Sequence, residues 1–227
     1  MTTVLRSWMF IGAISCVGMN MMVLKAGKED LVNIVSVNKN IRLDIRYATT
    51  NNFTGVAVYS KAACYLHKDA ADALDAVQKE LEKEGLGLLI WDGYRPIPAQ
   101  QKLWDVVLEQ KGGDEKEAAT YVSNPAIHKG RHTRGTAVDL TLVDKDSNLL
   151  EMPTEFDDFS EKAWSACDKV SVAASENRAK LKEIMEKHGF TNYPYEWWHF
   201  DFGDWRNDEA YEPLEITFEG LEELAKK

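Results

Sequence analysis

The segment from Thr136 to Leu142 constrains the fold most. Its large apolar residues alternate with small or polar ones as in a β-strand, and one of the polar residues is a carboxylate. Its two faces differ in residue size: Val138, Leu140 and Leu142 on one side, and Ala137, Asp139 and Thr141 on the other. The small neighbours of Asp139 leave space for an ion in front of its carboxylate. His132 precedes Gly135, where we predict a tight turn that brings the imidazole back toward the strand.

A second polar motif, Glu196-Trp197-Trp198-His199, lies near the end of the chain. Residues 197–202 predict an aromatic strand. Glu196 and His199 would face opposite sides of a regular strand. We therefore expect Glu196 at the strand's entrance or beside a β-bulge.

The two motifs together offer the imidazoles of His132 and His199 and the carboxylate of Asp139 to a metal ion. Three protein ligands leave one position open for water, which is typical of a catalytic rather than a structural zinc site. Imidazole ligands suit zinc, so the sequence predicts a hydrolase with one Zn²⁺ per chain. The remaining histidines, interpreted as structural, are His67, His128 and His188.

These motifs and four others resemble those of the VanX-type D-alanyl-D-alanine dipeptidases, relatives of the D,D-carboxypeptidases and of the zinc-containing Hedgehog signalling domain. The resemblance covers residues 33–218. Its blocks follow the family's order: Ile45-Arg46-Tyr47-Ala48-Thr49, Asn52-Phe53-Thr54-Gly55, Trp91-Asp92-Gly93-Tyr94-Arg95-Pro96, the 132–142 segment, Phe156-Asp157 and Glu196-Trp197-Trp198-His199.

The resemblance implies a role for each polar residue in hydrolysis of the D-Ala-D-Ala dipeptide during peptidoglycan precursor turnover. The implied zinc ligands are His132, Asp139 and His199. Glu196 looks like the catalytic base, and Arg95 looks like the residue that stabilises the transition state.

Two further residues are expected to contact the substrate. Asp157 would pair with its free α-ammonium, and Tyr47 is a candidate for the pocket wall. The chain departs from the family at Gly130, where a Ser is frequent, and at Pro153, where a Gly is usual. Both departures concern substrate contacts and leave the metal set untouched.

Two other functions remain open at this point. One is a D,D-carboxypeptidase of the same fold that acts on longer peptidoglycan stem peptides. The other is a non-catalytic, zinc-stabilised binding module, although a purely structural site needs neither Glu196 nor Arg95. Oligomeric state is not readable from the sequence.

The order of elements favours an α+β fold, with a mainly antiparallel central sheet flanked by helices. Strands are predicted over residues 41–47 and 88–91, in addition to the two above. Helices are predicted over 68–84, 98–111 and 175–188. The acidic, weakly periodic stretch from 143 to 174 is interpreted as a lid or substrate wall, or as a solvated loop.

The 227 residues and net charge of -10 suit one domain, assigned to residues 27–227, and argue against a nucleic-acid partner. Arg6 and the apolar run from Trp8 to Leu24 predict an export signal over residues 1–26. Cys16 is an alternative lipidation site, which would provide a membrane anchor. We expect a periplasmic or otherwise exported protein, in which Cys64 and Cys167 could pair.

Overall fold

A computed structural model describes residue 27, residues 30–206 and residues 210–226. The predicted signal and Cys16 therefore lie outside the described residues. Within the described part of the chain, no helix is both long and apolar enough to span a membrane.

A five-stranded sheet forms the centre of the molecule. Its strands are β2 (Arg42–Leu43), β4 (Leu86–Asp92), β5 (Ala137–Asp144), β6 (Phe190–Asn192) and β7 (His199–Phe202). They lie in the order β2-β4-β5-β7-β6, and every pair is antiparallel except β2 with β4. The predicted α+β class with a mainly antiparallel sheet is confirmed.

Helices and a two-stranded ribbon flank this sheet. The ribbon pairs β1 (Leu31–Asn33) with β3 (Tyr65–His67). The helices are α1 (Ile34–Val37), α2 (Lys68–Leu81), α3 (Ile97–Gln110), α4 (Glu115–Ala118), α5 (Val172–Lys187) and α6 (Phe218–Leu224). The helix predicted at 175–188 begins earlier, because Ser171 caps it by accepting a hydrogen bond from the Ala174 amide.

Strand β5 lies in the middle of the sheet, between β4 and β7, and all its residues except the last are buried. The central position pairs both edges of β5, and both of its faces are covered although only one is strongly apolar. Its polar residues Asp139 and Thr141 must therefore face other protein groups or a ligand.

The strand predicted over residues 41–47 is wrong beyond Leu43. Asp44 still donates its amide to the Ile90 carbonyl, but residues 46–48 form a short 3-10 helix that contains Tyr47. The carbonyl of Tyr47 accepts from the amides of Val58 and Tyr59, each at 2.8 Å, so the following loop replaces a neighbouring strand as its partner.

The aromatic strand at 197–202 is also shorter than predicted, because it begins at His199. Trp197 and Trp198 are buried in the preceding turn. The Trp197 amide donates to the Ala163 carbonyl at 2.9 Å, outside the sheet. Glu196 therefore lies at the strand's entrance, as predicted.

The two described cysteines, Cys64 and Cys167, are free thiols. Cys64 is buried against Gly93, and burial raises the pKa of its thiol. The pairing left open from the sequence is absent from this structure.

Candidate metal centre and active-site cavity

A row of polar residues crosses three adjacent strands of the sheet. Asp139 on β5 lies directly opposite Asp92 on β4 and opposite His199 on β7. The pairing of β4 with β5 is irregular between Ile90 and Asp92, so the bulge lies here and not beside Glu196. Because cross-strand neighbours are close in space, the sheet register itself brings Asp139 and His199 together.

His132 joins this row from a 3-10 turn, His132–Arg134, that ends at Gly135. Gly135 has φ +72°, and a Cβ at this position would lie 2.4 Å from Leu31 Cδ2. Only glycine fits a turn of this shape against β1. The turn returns His132 toward β5, and one donor atom each from His132, Asp139 and His199 lies within 4.8 Å of the others.

The hydrogen bonds of the two imidazoles fit a metal ion. His132 Nδ1 lies 2.8 Å from the Gly93 carbonyl, which can only accept, so Nδ1 carries the proton. His199 Nε2 lies 3.2 Å from Asp201 Oδ1 and donates to it. The unprotonated nitrogens, His132 Nε2 and His199 Nδ1, then face each other at 3.2 Å beside Asp139, which is a donor set for a cation.

The electrostatics of the set agree with this reading. Burial raises the pKa of Asp139, but His132 and His199 outweigh it and hold the pKa well below its usual range. Burial lowers the pKa of His199, while hydrogen bonds to Asp139 and Asp201 raise it to about 10. The carboxylates thus favour positive charge at this point, whether it comes from protons or from a metal ion.

Glu196 lies next to the metal set, with Oε2 3.8 Å from His199 Nδ1. Its turn is held by Asn192, whose side-chain amide donates to the carbonyls of Glu196, Trp197 and His199. Burial raises the pKa of Glu196 above its usual value, although the charge on His199 opposes the rise. A carboxylate with a raised pKa beside a metal site is suited to accept and return a proton.

Arg95 lies at the end of β4 and is held from several sides. Its Nε and Nη2 donate to Asp92 Oδ2 at 3.1 and 2.7 Å, and its Nη1 donates to Gln100 Oε1 at 3.0 Å. The guanidinium lies 5.0 Å from the centre of the Tyr47 ring. This arrangement fixes a buried positive charge at the cavity wall.

Asp157 and Tyr47 contact each other. The Tyr47 hydroxyl donates to Asp157, with oxygen–oxygen distances of 3.1 and 3.2 Å. Tyr47 lines the metal-facing cavity, whereas Asp157 lines an adjoining depression with Phe53 and Arg46. Burial raises the pKa of Asp157 well above its usual value, and the charge on Asp139 adds to the rise.

The residues converge on a cavity of about 180 Å³. Three aromatic rings from separate loops border it, with Phe159 5.1 Å from Phe53 and 5.0 Å from Tyr121 between ring centres. Phe159 belongs to the acidic stretch 143–174, so part of that stretch forms a wall, as one of its two interpretations expected. Gly130 also lines the cavity, with φ +82°.

Sequence reasoning missed several residues that hold the site together: Asp92, Gln100, Arg131, Asn192 and Asp201. Asp201 could have been found from the sequence, because it follows His199 by two residues and therefore lies on the same face of the strand. Asp92 belongs to the same sequence motif as Arg95, which it precedes by three residues.

The other three histidines lie outside the metal set. His67 caps α2 by accepting from the Asp69 amide, and His188 contacts Glu80 at 3.0 Å. His128 is exposed. The contacts of His67 and His188 agree with their structural interpretation, and that of His128 stays a prediction.

The family model and the similar proteins of known function agree on one family. The D-Ala-D-Ala dipeptidase family of M15 peptidases matches residues 27–216. The D-alanyl-D-alanine dipeptidase of Escherichia coli K12 is 37% identical, over 76% of this chain and 84% of its own length. That of Enterococcus faecium is 34% identical, over 72% of this chain and 87% of its own length.

Solved structures show weaker likeness. An LdcB LD-carboxypeptidase is 23% identical with a TM-score of 0.44, and covers 72% of this chain and 69% of its own. The vancomycin-resistance D,D-dipeptidase VanXYg is 21% identical with a TM-score of 0.40, and covers 72% and 59% respectively.

Proposed function

Because the chain belongs to the D-Ala-D-Ala dipeptidase family of M15 metallopeptidases, we propose that it hydrolyses D-Ala-D-Ala to two molecules of D-alanine in peptidoglycan precursor turnover. The observation that carries this proposal is the convergence of His132, Asp139 and His199 in one cavity with Glu196 and Arg95. A purely structural metal site would need neither a neighbouring carboxylate with a raised pKa nor a buried guanidinium.

We assign Zn²⁺ to the His132, Asp139 and His199 set, one ion per chain. Two imidazole nitrogens and a carboxylate oxygen are ligands that zinc accepts, and three protein ligands leave a position open. A bound zinc ion supplies Lewis acidity, which acidifies water and polarises a carbonyl. The same ligands would also accept cobalt, nickel or manganese in vitro.

Glu196 is the proposed general base and then general acid. Its carboxylate takes a proton from the attacking water and passes it to the nitrogen of the leaving D-alanine. The raised pKa of Glu196 lies closer to neutral pH, where one carboxyl group can both accept and donate a proton. A general base of this kind contributes typically 10²–10⁴-fold to the rate, by order of magnitude.

Arg95 is the proposed partner of the developing oxyanion. Asp92 and Gln100 hold its guanidinium before substrate arrives, so little reorganisation is needed when negative charge forms. Removal of one preorganised donor usually costs about a hundredfold or more in rate. Arg95 acts without transferring a proton, which separates its role from that of Glu196.

Asp157 and Tyr47 are the proposed contacts for the free ammonium of the substrate. The ammonium would offset the burial that disfavours the ionised carboxylate of Asp157. A site that requires a free amine would favour a dipeptide over a longer stem peptide. The D,D-carboxypeptidase alternative requires no such contact.

The decisive experiment gives metal-loaded protein three substrates: D-Ala-D-Ala, L-Ala-L-Ala and a pentapeptide that ends in D-Ala-D-Ala. Fast release of D-alanine from the first alone supports the proposal. Comparable rates on the pentapeptide would replace it with the carboxypeptidase function, and no turnover of any peptide would leave a binding module.

We also propose that the protein is exported, on the basis of Arg6 and the apolar run from Trp8 to Leu24. The mature domain would begin after residue 26, or at a lipid-modified Cys16. Its substrate would then meet the enzyme outside the cytoplasm.

A further inference from the structure

Arg131 directly precedes His132 and lines the same cavity. Its side chain is 23% exposed and is held in place by an ion pair and two rings. Nη1 lies 3.2 Å from Asp201 Oδ2, and the guanidinium lies 4.0 Å from the Tyr193 ring centre and 4.9 Å from that of Trp205. Such packing fixes the position of the charge at little further cost in side-chain entropy.

The charged lining of the cavity makes this arginine distinctive. Among the described residues that line it, the permanently cationic side chains are Arg95 and Arg131. Arg95 commits Nε, Nη1 and Nη2 to Asp92 and Gln100. Arg131 uses Nη1 on Asp201, and a guanidinium has five N–H donors.

A free dipeptide brings a carboxylate into this cavity as well as an ammonium. The walls already hold the carboxylates of Asp139 and Glu196, which would repel a second anion unless a cation lies close to it. Arg131 and the proposed base Glu196 line this same cavity, so both face a ligand bound in it.

We propose, on the basis of the function proposed above, that Arg131 binds the C-terminal carboxylate of the dipeptide substrate. The leaving nitrogen must lie within reach of Glu196 to receive its proton, and the carboxylate is joined to that nitrogen through one carbon atom. A cation that lines the same small cavity as Glu196 is therefore within reach of the substrate's carboxylate. Gly130, with no side chain, leaves the wall open next to Arg131.

The test compares D-Ala-D-Ala with its C-terminal amide, D-Ala-D-Ala-NH₂, in wild-type protein and in Arg131→Ala. We expect the wild type to prefer the free acid by roughly 10- to 100-fold in kcat/KM, the range typical of a contact to a charged group. The variant should lose most of this preference, mainly through KM for the free acid. Arg131→Lys should keep part of it.

Two controls separate recognition from structural damage. Lys129→Ala removes the same charge two residues away, from a side chain that contacts Glu215 and does not line the metal cavity. It should keep the wild-type preference. Metal content is measured in every variant, and Arg131→Gln replaces Arg131→Ala if the latter fails to fold.

The outcomes are distinct. If Arg131 has a merely structural role, Arg131→Ala lowers activity on both substrates equally and keeps their ratio. This result would overturn the assignment of Arg131. Hydrolysis of D-Ala-D-Ala by the wild type would still support the proposed function. A metal-loaded wild type that cleaves neither substrate would overturn the proposed function and the assignment with it.

Discussion

Glu196 Oε2 lies 3.8 Å from His199 Nδ1, the nitrogen that faces His132. The carboxylate is thus a neighbour of the metal set without a direct hydrogen bond to it. The Asn192 side chain holds the backbone of both residues, and the pairing of β7 with β5 fixes His199 in addition. In the proposed mechanism Glu196 transfers protons while His199 binds the metal.

Replacing Glu196 should therefore separate catalysis from metal binding. We expect Glu196→Gln to retain about one metal per chain and to lose at least about a hundredfold in kcat. Metal analysis and D-alanine release, measured on the same sample, check this. The exposed Glu161→Gln is the matched control and should leave both quantities unchanged. Loss of metal from the Glu196 variant would contradict the proposed role.

Removing an imidazole from the set should abolish metal binding. Two ligands remain in His199→Ala and in His132→Ala, too few to hold an ion against a chelator. We expect both variants to lose metal and activity together, measured by elemental analysis after dialysis. His128→Ala, at an exposed position, should bind metal normally. Full occupancy in His199→Ala would remove His199 from the site.

Asp201 should matter for metal affinity although it is not a predicted ligand. Its carboxylate accepts from His199 Nε2 at 3.2 Å and so keeps Nδ1 unprotonated. We expect Asp201→Asn to weaken metal binding by about 10- to 100-fold, the usual effect of such a supporting residue. Competition with a chelator measures this, and the exposed Asp204→Asn serves as control. Equal affinities in both variants would argue against the support.

Asp157 should lower the stability of the free enzyme while it serves substrate binding. Its folded pKa is raised, so its stability contribution is complete below the unfolded pKa of about 3.9 and is lost as pH rises through the folded value. We expect Asp157→Asn to raise Tm by about 2–4 °C at neutral pH, equivalent to about 1 kcal/mol, and by less at pH 4.

The same variant should lose discrimination between D-Ala-D-Ala and its N-acetylated form. The left-handed backbone at residue 157, with φ +61°, is one that asparagine tolerates, so the substitution adds no strain. Thermal melts at both pH values are compared with those of the exposed Glu155→Gln. A lower Tm for Asp157→Asn at neutral pH would contradict the expected stabilisation.

Export predicts a processed N-terminus. We expect mass spectrometry of protein from its native cell to find a mature chain that begins near residue 27, or a lipid-modified Cys16. An intact Met1 or Thr2 in a cytoplasmic fraction would contradict export.

The sequence predicted the metal-facing part of the fold well, because β5 carries a strong alternating pattern and Gly135 marks its turn. It predicted the region around Tyr47 badly. Of the alternating residues at 41–47, Ile41, Ile45 and Tyr47 are buried, but the chain there forms a two-residue edge strand followed by a 3-10 turn. Periodicity alone does not separate these two structures.

The supports of the site were harder to predict than its central residues. The contact of Arg131, just before β5, with Asp201 on β7 depends on these two strands lying side by side. The local pattern of β7 does not reveal that it lies between β5 and β6. The contact of Asp157 with Tyr47 joins loops that are 110 residues apart in the chain.

The order β2-β4-β5-β7-β6 also sets when the centre can form during synthesis. His132 and Asp139 are synthesised before His199, which follows 60 residues after Asp139 and reaches the set only when β7 pairs with β5. A nascent or truncated chain that ends before residue 199 holds an incomplete site. If the set binds metal as proposed, metal retention reports that β7 has paired with β5.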